Sequence, residues 1–389
     1  MFEKMRAIYI IRRTVTVLAL LPILSLQLSA QEKTSLWQKF VNAISAPSLE
    51  LDSEYVYQPA PTWNVAVSAD LGHVGNYLTN HLSTVAELDD QVIDVTADAT
   101  LRLQGGLDKG IGLQVGYGNL SLGYNQKLGV DKTYKNTSFS FDYMAPGYAV
   151  QVQYFDFRRP MDYEALIDLG IVTLDDAGQT EYPGRMTSFI VDAFYAFNRR
   201  NFAYSAVYKG NVVQRRSAGT LMFGAKYIQG MVSTHPDEFA SQLMMGLTNQ
   251  TTRQISFGGG LSYNLVPYHR QPDENGKGLR NLTFNVTAIP MVTLFNQFIT
   301  TMENEDENFN PVKTKSVMNG NMLVNYVLKA GAIYTWDRFS VNLSGSYDRY
   351  NYRGASDIPA QFDDLEFEKV QSSGWFRRWT ASLKFCVRF

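Results

Sequence analysis

One cysteine and four histidines are all that 389 residues supply of the usual thiol and metal-ligating side chains. The single Cys386 excludes an intrachain disulfide framework and any cysteine-rich zinc site. Net charge is nearly absent, with 35 Lys and Arg against 37 Asp and Glu, a formal −2. Without an excess of positive charge to displace counterions, nucleic-acid binding is not expected. After residue 30 no uninterrupted apolar run reaches the length of about 18 residues that a membrane helix needs, so helical spans are excluded. No His-x-x-x-His or Cys/His metal spacing occurs, and no Gly-x-Ser-x-Gly with flanking strand and helix. What the chain does hold is aromatic surface: 23 Phe, 23 Tyr and 5 Trp exclude disorder over most of its length.

The first thirty residues read as an address. Lys4, Arg6, Arg12 and Arg13 precede an apolar stretch from Val15 to Leu28, which ends in Leu28-Ser29-Ala30. This is the tripartite pattern of a secretory signal peptide cleaved after residue 30. An N-terminal anchor is the alternative, but the run falls short of the roughly 20 residues that span a bilayer. Without residues 1–30 the chain carries 31 basic and 36 acidic side chains, a net of −5. Residues 31–61 form a separate lead. In it Trp37, Phe40, Val41 and Ile44 make one stripe of a short helix that Pro47 discourages from continuing.

From residue 62 to the end, apolar and polar residues alternate with period two, the signal of half-buried strands. The last segment is the clearest: Trp379, Ala381, Leu383, Phe385, Val387 and Phe389 share one face, and Arg378, Ser382, Lys384 and Arg388 the other. About fourteen such segments can be marked, including 92–105, 109–117 and 201–215. Short turns join some of them, such as Gly105-Gly106-Leu107-Asp108, Ala145-Pro146-Gly147 and Trp336-Asp337-Arg338. Longer loops are expected at 73–91, 159–185, 232–250, 299–318 and 354–374. Segments of about ten residues with aromatic ends suit tilted strands that cross a membrane, where a sheet must close on itself to satisfy its backbone. The expected fold is therefore all-β: a closed antiparallel transmembrane up-and-down β-barrel of 12–14 strands, with a short N-terminal periplasmic helix.

Four stretches carry a likeness. They are Tyr195-Ala196-Phe197-Asn198-Arg199-Arg200-Asn201-Phe202-Ala203-Tyr204, Gln214-Arg215-Arg216-Ser217-Ala218-Gly219, the run from Gly258 to Pro267, and Ala288-Ile289-Pro290-Met291. The chain over most of 60–353 resembles domain-of-unknown-function family 4421, uncharacterised bacterial outer-membrane proteins. The resemblance implies a barrel and supplies neither an activity nor a catalytic residue.

Lumen-facing charges are expected at Asp94, Asp98, Arg102, Asp142, Asp192, Lys209, Lys329, Asp348, Arg378, Lys384 and Arg388. Both signs are present, so strong ion selectivity is not implied. Phe155 and Phe376, if inward, would constrict the interior. Membrane-interface aromatics are expected at Phe197, Phe202, Tyr204, Trp336, Phe339, Trp375 and Trp379, and Phe389 fits a C-terminal signal for the barrel-assembly machinery. The glycines at 110, 112 and 116, and at 258 to 260, read as points of curvature and close strand approach. The least poor catalytic cluster is His73 and His81 with Ser83, Asp89 and Asp90, and a solvated loop is the better reading. No catalytic, cofactor or metal site is expected.

Function stays open on these grounds. The leading expectation is an outer-membrane barrel of a Gram-negative bacterium, not an enzyme, whose partners are outer-membrane lipid and the assembly machinery. It would be a narrow pore, or a transport or binding protein for a small solute or surface glycan. A non-conducting barrel that docks a partner, a barrel hydrolase and a soluble periplasmic β-protein are the alternatives.

Overall fold

The computed structural model describes residues 51–59, 63–88, 91–104, 107–128, 135–168, 173–234, 247–273, 277–305, 311–319, 323–356, 360–362, 365–367 and 369–389. The expected signal segment and the stripe at Trp37 lie outside them. In chain order the elements are β1 (Val56–Tyr57), β2 (Trp63–Leu88), β3 (Gln91–Gln104), β4 (Asp108–Tyr117), β5 (Leu120–Lys127), β6 (Lys135–Met144), β7 (Tyr148–Asp168) and β8 (Thr173–Ala196). A single-turn helix α1 (Ser205–Tyr208) and β9 (Val213–Gln214) follow, then β10 (Ala218–Thr234), β11 (Leu247–Arg270) and β12 (Arg280–Glu305). The last are β13 (Pro311–Asn319), β14 (Leu323–Trp336), β15 (Phe339–Ser356), β16 (Ala360–Phe362), β17 (Leu365–Phe367) and β18 (Lys369–Arg388).

Twelve walls make one closed ring, each antiparallel to its neighbour in sequence. Two walls are interrupted strands: β3 and β4 pair in succession with β2, and β13 and β14 with β12. The ring closes where β18 pairs with β2 from Lys369↔Ser83 to Arg388↔Asn64. Closure removes the free edges of the ring itself, while β3 and β13 are paired on one side, with β2 and β12. Tight turns at Gly118 (φ 53°) and Asp337 (φ 50°) lie at the same end of the ring as Trp63 and Phe389. That end is called the terminal rim, and the opposite one the distal rim.

Alternation decides which side chain faces where. On the outside stand Val67 and Leu71 of β2, Ile111, Leu113 and Val115 of β4, Phe139 and Phe141 of β6, and Leu383 and Phe385 of β18, all exposed. Every wall adds such residues, and they form an apolar belt. In β12 the belt runs from Phe284 to Phe295, and a bulge at Leu294 switches the parity near its end. The inward positions of β12 are instead Asn281, Thr283, Asn285 and Thr287, all buried.

Three expectations change. The segments 92–105 and 109–117 belong to one wall, because β3 up to Gln104 and β4 from Asp108 pair in succession with β2 and the chain does not reverse between them. The segment 201–215 is no wall strand: it holds α1 and β9 and lies within the ring. Those two changes bring fourteen segments to twelve walls. The expected long loops are largely strand, since β2 runs on to Leu88, β7 to Asp168 and β12 to Glu305. Their outer reaches lie beyond the apolar belt, where the sequence of a wall strand loses its alternation. With the merged strand counted once, the segment 159–185 falls at the distal rim, as strict alternation requires.

Candidate functional site

The segment between β8 and β10 turns into the barrel and fills it at the terminal rim. Phe202, Ala203, Val207 and Gln214 are each 0% exposed, and Tyr204 is 1% exposed. Asn198 starts the inward turn, with its backbone N–H donating to Thr220 Oγ1 at 2.9 Å and its side chain to the Gly219 carbonyl. Phe202 and Tyr204 then pack against Met144, Phe194, Met222, Ile289, Met291 and Val327, inward residues of five walls. Burying each large apolar side chain is worth about 1.5–3 kcal/mol.

A segment with so little regular structure must find partners for its backbone. The walls supply them as side-chain amides. Asn264 Nδ2 donates to the Ala203 carbonyl at 2.9 Å, and Asn342 Nδ2 to the Val207 carbonyl at 2.5 Å. Asn211 Nδ2 donates to the Met144 carbonyl, and Tyr208 Oη to Asn285 Oδ1 at 2.7 Å. Gln214 is the hub: its Oε1 accepts from the Ala203 N–H, and its Nε2 donates to the Asn201 and Arg216 carbonyls at 2.6 and 2.9 Å.

The chain just before the barrel lies on this segment. β1 pairs antiparallel with β9, Val56 opposite Gln214 and Tyr57 opposite Val213. Arg215 fastens the pair, its backbone N–H reaching the Tyr55 carbonyl at 2.7 Å and its guanidinium the Ser53 carbonyl at 2.8 Å. That guanidinium also lies over the Tyr57 ring, and Arg216 pairs with Glu54.

At mid-height the lumen is crossed by charge. Lys226 of β10 meets Asp192 of β8 at 3.0 Å and Asp348 of β15 at 2.8 Å. Asp348 also binds Arg378 of β18 at 2.8 Å. Asp192 and Lys226 are register neighbours on the adjoining walls β8 and β10, as are Asp348 and Arg378 on β15 and β18. The Lys226–Asp348 contact therefore ties opposite sides of the ring together. Arg378 lies over Phe155, and Lys226 over Tyr350.

Beside this brace is a cavity of about 320 Å³ against β4, β5 and β6. Its wall is hollowed by glycine. A Cβ on Gly112 would strike Ser68 Oγ, and one on Gly123 would strike Ser140 Oγ. Polar groups converge on it: Lys384 Nζ donates to Gln114 Oε1 at 2.7 Å, and Lys329 Nζ to Gln151 Oε1 at 2.9 Å. The amides of Gln114 and Gln151 each donate to Asp142, at 3.3 and 3.2 Å. Lys209, at the end of α1, lines the cavity from the inserted segment. Burial pushes its ammonium down to about 7, against the pull of Asp142. Burial likewise raises the Tyr204 and Tyr208 phenols above their ordinary value.

Most expected lumen charges are inside. Asp142, Asp192, Asp348 and Arg378 are buried, and Lys329 and Lys384 reach inward partners. Arg388 bonds the Asp337 carbonyl at the terminal rim, and Phe155 and Phe376 face inward. Lys209 is inside but on the inserted segment, not on a wall. Asp94, Asp98 and Arg102 lie on β3, whose side chains at these positions are outside the described ones. Phe202 and Tyr204 are a correction: as members of the inserted segment they lie in the lumen, where their rings displace water, and they meet no membrane interface. Trp336, Phe339 and Phe385 cluster on the outer face near the terminal rim, and Phe197 is exposed there beside Tyr195. Trp375 and Trp379 also stand on the outer face, within β18 and not at its end, because that strand begins at Lys369. His73 and His81 sit on β2 eight residues apart, about 26 Å along a strand. The strand thus separates the expected cluster.

Sequence reading missed Lys226, Gln114, Gln151 and the amides that hold the inserted segment. Lys226 carried a signal, since it shares parity with Thr220 and Met222. Gly258 and Gly260 do mark close approach: a Cβ on either would strike the backbone carbonyl of Pro290 or Ala288.

These features define a closed barrel whose lumen is filled by its own chain at one end and braced by ion pairs at mid-height. The chain belongs to the family described as domain of unknown function DUF4421, whose model matches residues 72–362. The family-like stretches are the inserted segment and its receptor: 195–204 enters the lumen, 214–219 leaves it, Asn264 bonds it, and Ile289 and Met291 pack on it. No curated protein matches the sequence. Among solved structures it is similar to the outer membrane protease OmpT from Escherichia coli, at 9% identity and a TM-score of 0.35, covering 84% of this chain and 97% of that one. It is also similar to the Pseudomonas putida toluene transporter TodX, at 7% identity and a TM-score of 0.22, covering 83% of this chain and 90% of that one. Neither superposition is close enough to carry residues across.

Proposed function

We propose that the protein is an outer-membrane barrel closed on the periplasmic side by its own inserted segment, and that it holds a small solute in the lumen cavity. The apolar belt supports the membrane location, because side chains such as Leu261, Val286 and Leu294, each above 60% exposed, need lipid against them. Trp63 with Tyr117, Tyr143 with Tyr148, and Trp336 with Phe339 pair near the terminal rim, which suits a headgroup girdle on that side. An expected export signal at residues 1–30 and the terminal Phe389 fit delivery to the outer membrane of a Gram-negative bacterium through the barrel-assembly machinery. Lipid is thus the first partner.

The observation that carries closure is the burial of 202–207 and 212–214 within the ring. An open pore would leave those side chains wet. Passage through this barrel requires the inserted segment to move, so the protein acts as a gated binding barrel and not as a standing channel. Catalysis is no part of the proposal, since nothing gathers His73 and His81 around a common point.

Two measurements test it. The folded protein should resist SDS at room temperature and change mobility on boiling. In planar bilayers the wild type should be silent, and deletion of 199–216 with a short glycine-serine link should give stepwise currents. Steady currents from the wild type would overturn the closed reading.

A further inference from the structure

Three amines meet in the lumen cavity without a counter-ion of their own. Lys329 and Lys384 each donate to a neutral glutamine oxygen, and Lys209 Nζ is buried with no hydrogen-bond partner. Among the described residues none of the three has a carboxylate oxygen within 4 Å, whereas Lys226 and Arg378 beside them each meet one. Asp142 lines the cavity beside this group, and both its oxygens are taken by the amides of Gln114 and Gln151; Asp192 also lines it and is paired with Lys226. The order around it is symmetric: lysine, glutamine, aspartate, glutamine, lysine, with Lys209 facing from the inserted segment.

A buried ammonium without a counter-charge loses several kcal/mol of hydration unless something replaces the water. Each of these lysines has three N–H donors, of which the protein engages one at Lys329, one at Lys384 and none at Lys209. The glutamines fix two of the amines in place, which is what a preformed site requires. The space beside them is kept by glycines that no larger residue could replace without displacing Ser68 or Ser140. Asp70 also lines the cavity, held by Ser68 and Asn125. It stands opposite Gly110 and Ser382, two residues along β18 from Lys384, and Lys384 reaches away from it to Gln114.

We propose that this cavity is an anion site for a small solute bearing a phosphate or carboxylate group, with Lys209, Lys329 and Lys384 as its ligands and Gln114 and Gln151 as the residues that orient them. The proposal rests on the solute-binding reading above and names the class of solute. One ligand lies on the inserted segment, so a bound anion also fastens that segment to β14 and β18.

Calorimetric titration of the full chain in detergent, with inorganic phosphate and with succinate, tests it. At least one anion should bind, and Lys209→Met and Lys384→Met should each raise its Kd about tenfold or more. The exposed Lys277→Gln should leave it unchanged, and heat-modifiable mobility in SDS confirms that each variant is folded. Phosphate alone binding points to a phosphorylated solute, and succinate alone to a carboxylic acid; both outcomes support the site. No heat from either anion up to about 10 mM, or affinity retained in both folded variants, overturns it. The outcomes separate from those of the closed-barrel reading. If neither anion binds while the wild type is electrically silent and binds a neutral trisaccharide, the anion assignment fails and the closed barrel stands. If the wild type conducts steadily yet loses its anion on Lys384→Met, the site stands and closure fails.

Discussion

The lumen is filled at two levels by unlike chemistry. Near the terminal rim, neutral amides hold a backbone: Gln214, Asn264 and Asn342 bond carbonyls and N–H groups of the inserted segment, and Asn211 of that segment bonds the Met144 carbonyl of the wall. At mid-height, ionised side chains hold each other: Lys226 and Arg378 converge on Asp348 with side chains at most 6% exposed. A neutral hydrogen bond is worth about 0.5–1.5 kcal/mol net, and water can take its place when it opens. Breaking a buried ion pair by removing one partner costs about 3–5 kcal/mol, because the other charge stays behind. The lower level is thus suited to release and the upper level to permanence.

Asp348→Ala attacks the permanent level and should have the largest effect. It leaves Arg378 without a carboxylate and Lys226 with Asp192 alone, a loss of about 3–5 kcal/mol. A lower temperature for the mobility shift in SDS would show it; an unchanged shift would remove the distinction between the levels. Gln214→Ala attacks the releasable level. It strips partners from Ala203 and Asn264 at a cost of about 1–3 kcal/mol, and should read out as brief openings in planar bilayers with the SDS shift nearly intact. Equal loss in both assays would mean that the segment holds up the wall as well as closing it.

Acidity should act on the releasable level alone. Lys209 titrates near 7 when buried among Asp142, Lys384 and Cys386, and near its ordinary 10.5 when released. Between those values the released segment binds more protons than the inserted one, so insertion strengthens as pH rises from about 7 to 10.5 and is flat below 7. Openings of a weakened variant should therefore be fewer at pH 9 than at pH 7, and Lys209→Met should flatten the difference. The smallest effect is expected from Arg216→Ala, whose pair with Glu54 is some 60% exposed on both sides and worth about 0.5 kcal/mol or less.

Much of the wall could be read from its residues, because lipid imposes one rule on every strand that crosses it. The alternation of Leu383, Phe385 and their neighbours is a solvent preference written at period two. That rule stops at the edge of the belt, which is why the outer reaches of β2, β7 and β12 resembled loops. It also stops inside the barrel. Phe202, Tyr204, Val207 and Val213 are buried apolar residues that keep no single period, and the first two pack on residues from several walls and not on a plane. Their irregularity, ending at Gly210 with φ +73°, was the available sign that 201–215 is no wall strand. The charged cluster was half legible: inward parity located Asp192, Lys329, Asp348 and Arg378, but no local pattern states which of them meet across the ring. That pairing depends on closure, a property of all twelve walls together.

The position of β1 has a mechanical consequence. Residues 51–57 come before the first wall in the chain, yet among the described residues they are hydrogen-bonded to the inserted segment, at β9, Gln214 and Arg215, and not to the ring's own strands. A pull applied to the polypeptide ahead of Leu51 reaches that seam before it loads β2. Two strand residues and a few arginine contacts make a joint far weaker than any seam of the cylinder, and it sits on the very piece that stops the bore. The leader to the barrel is therefore attached like a cord to a stopper, and tension on it is spent where the least force is needed.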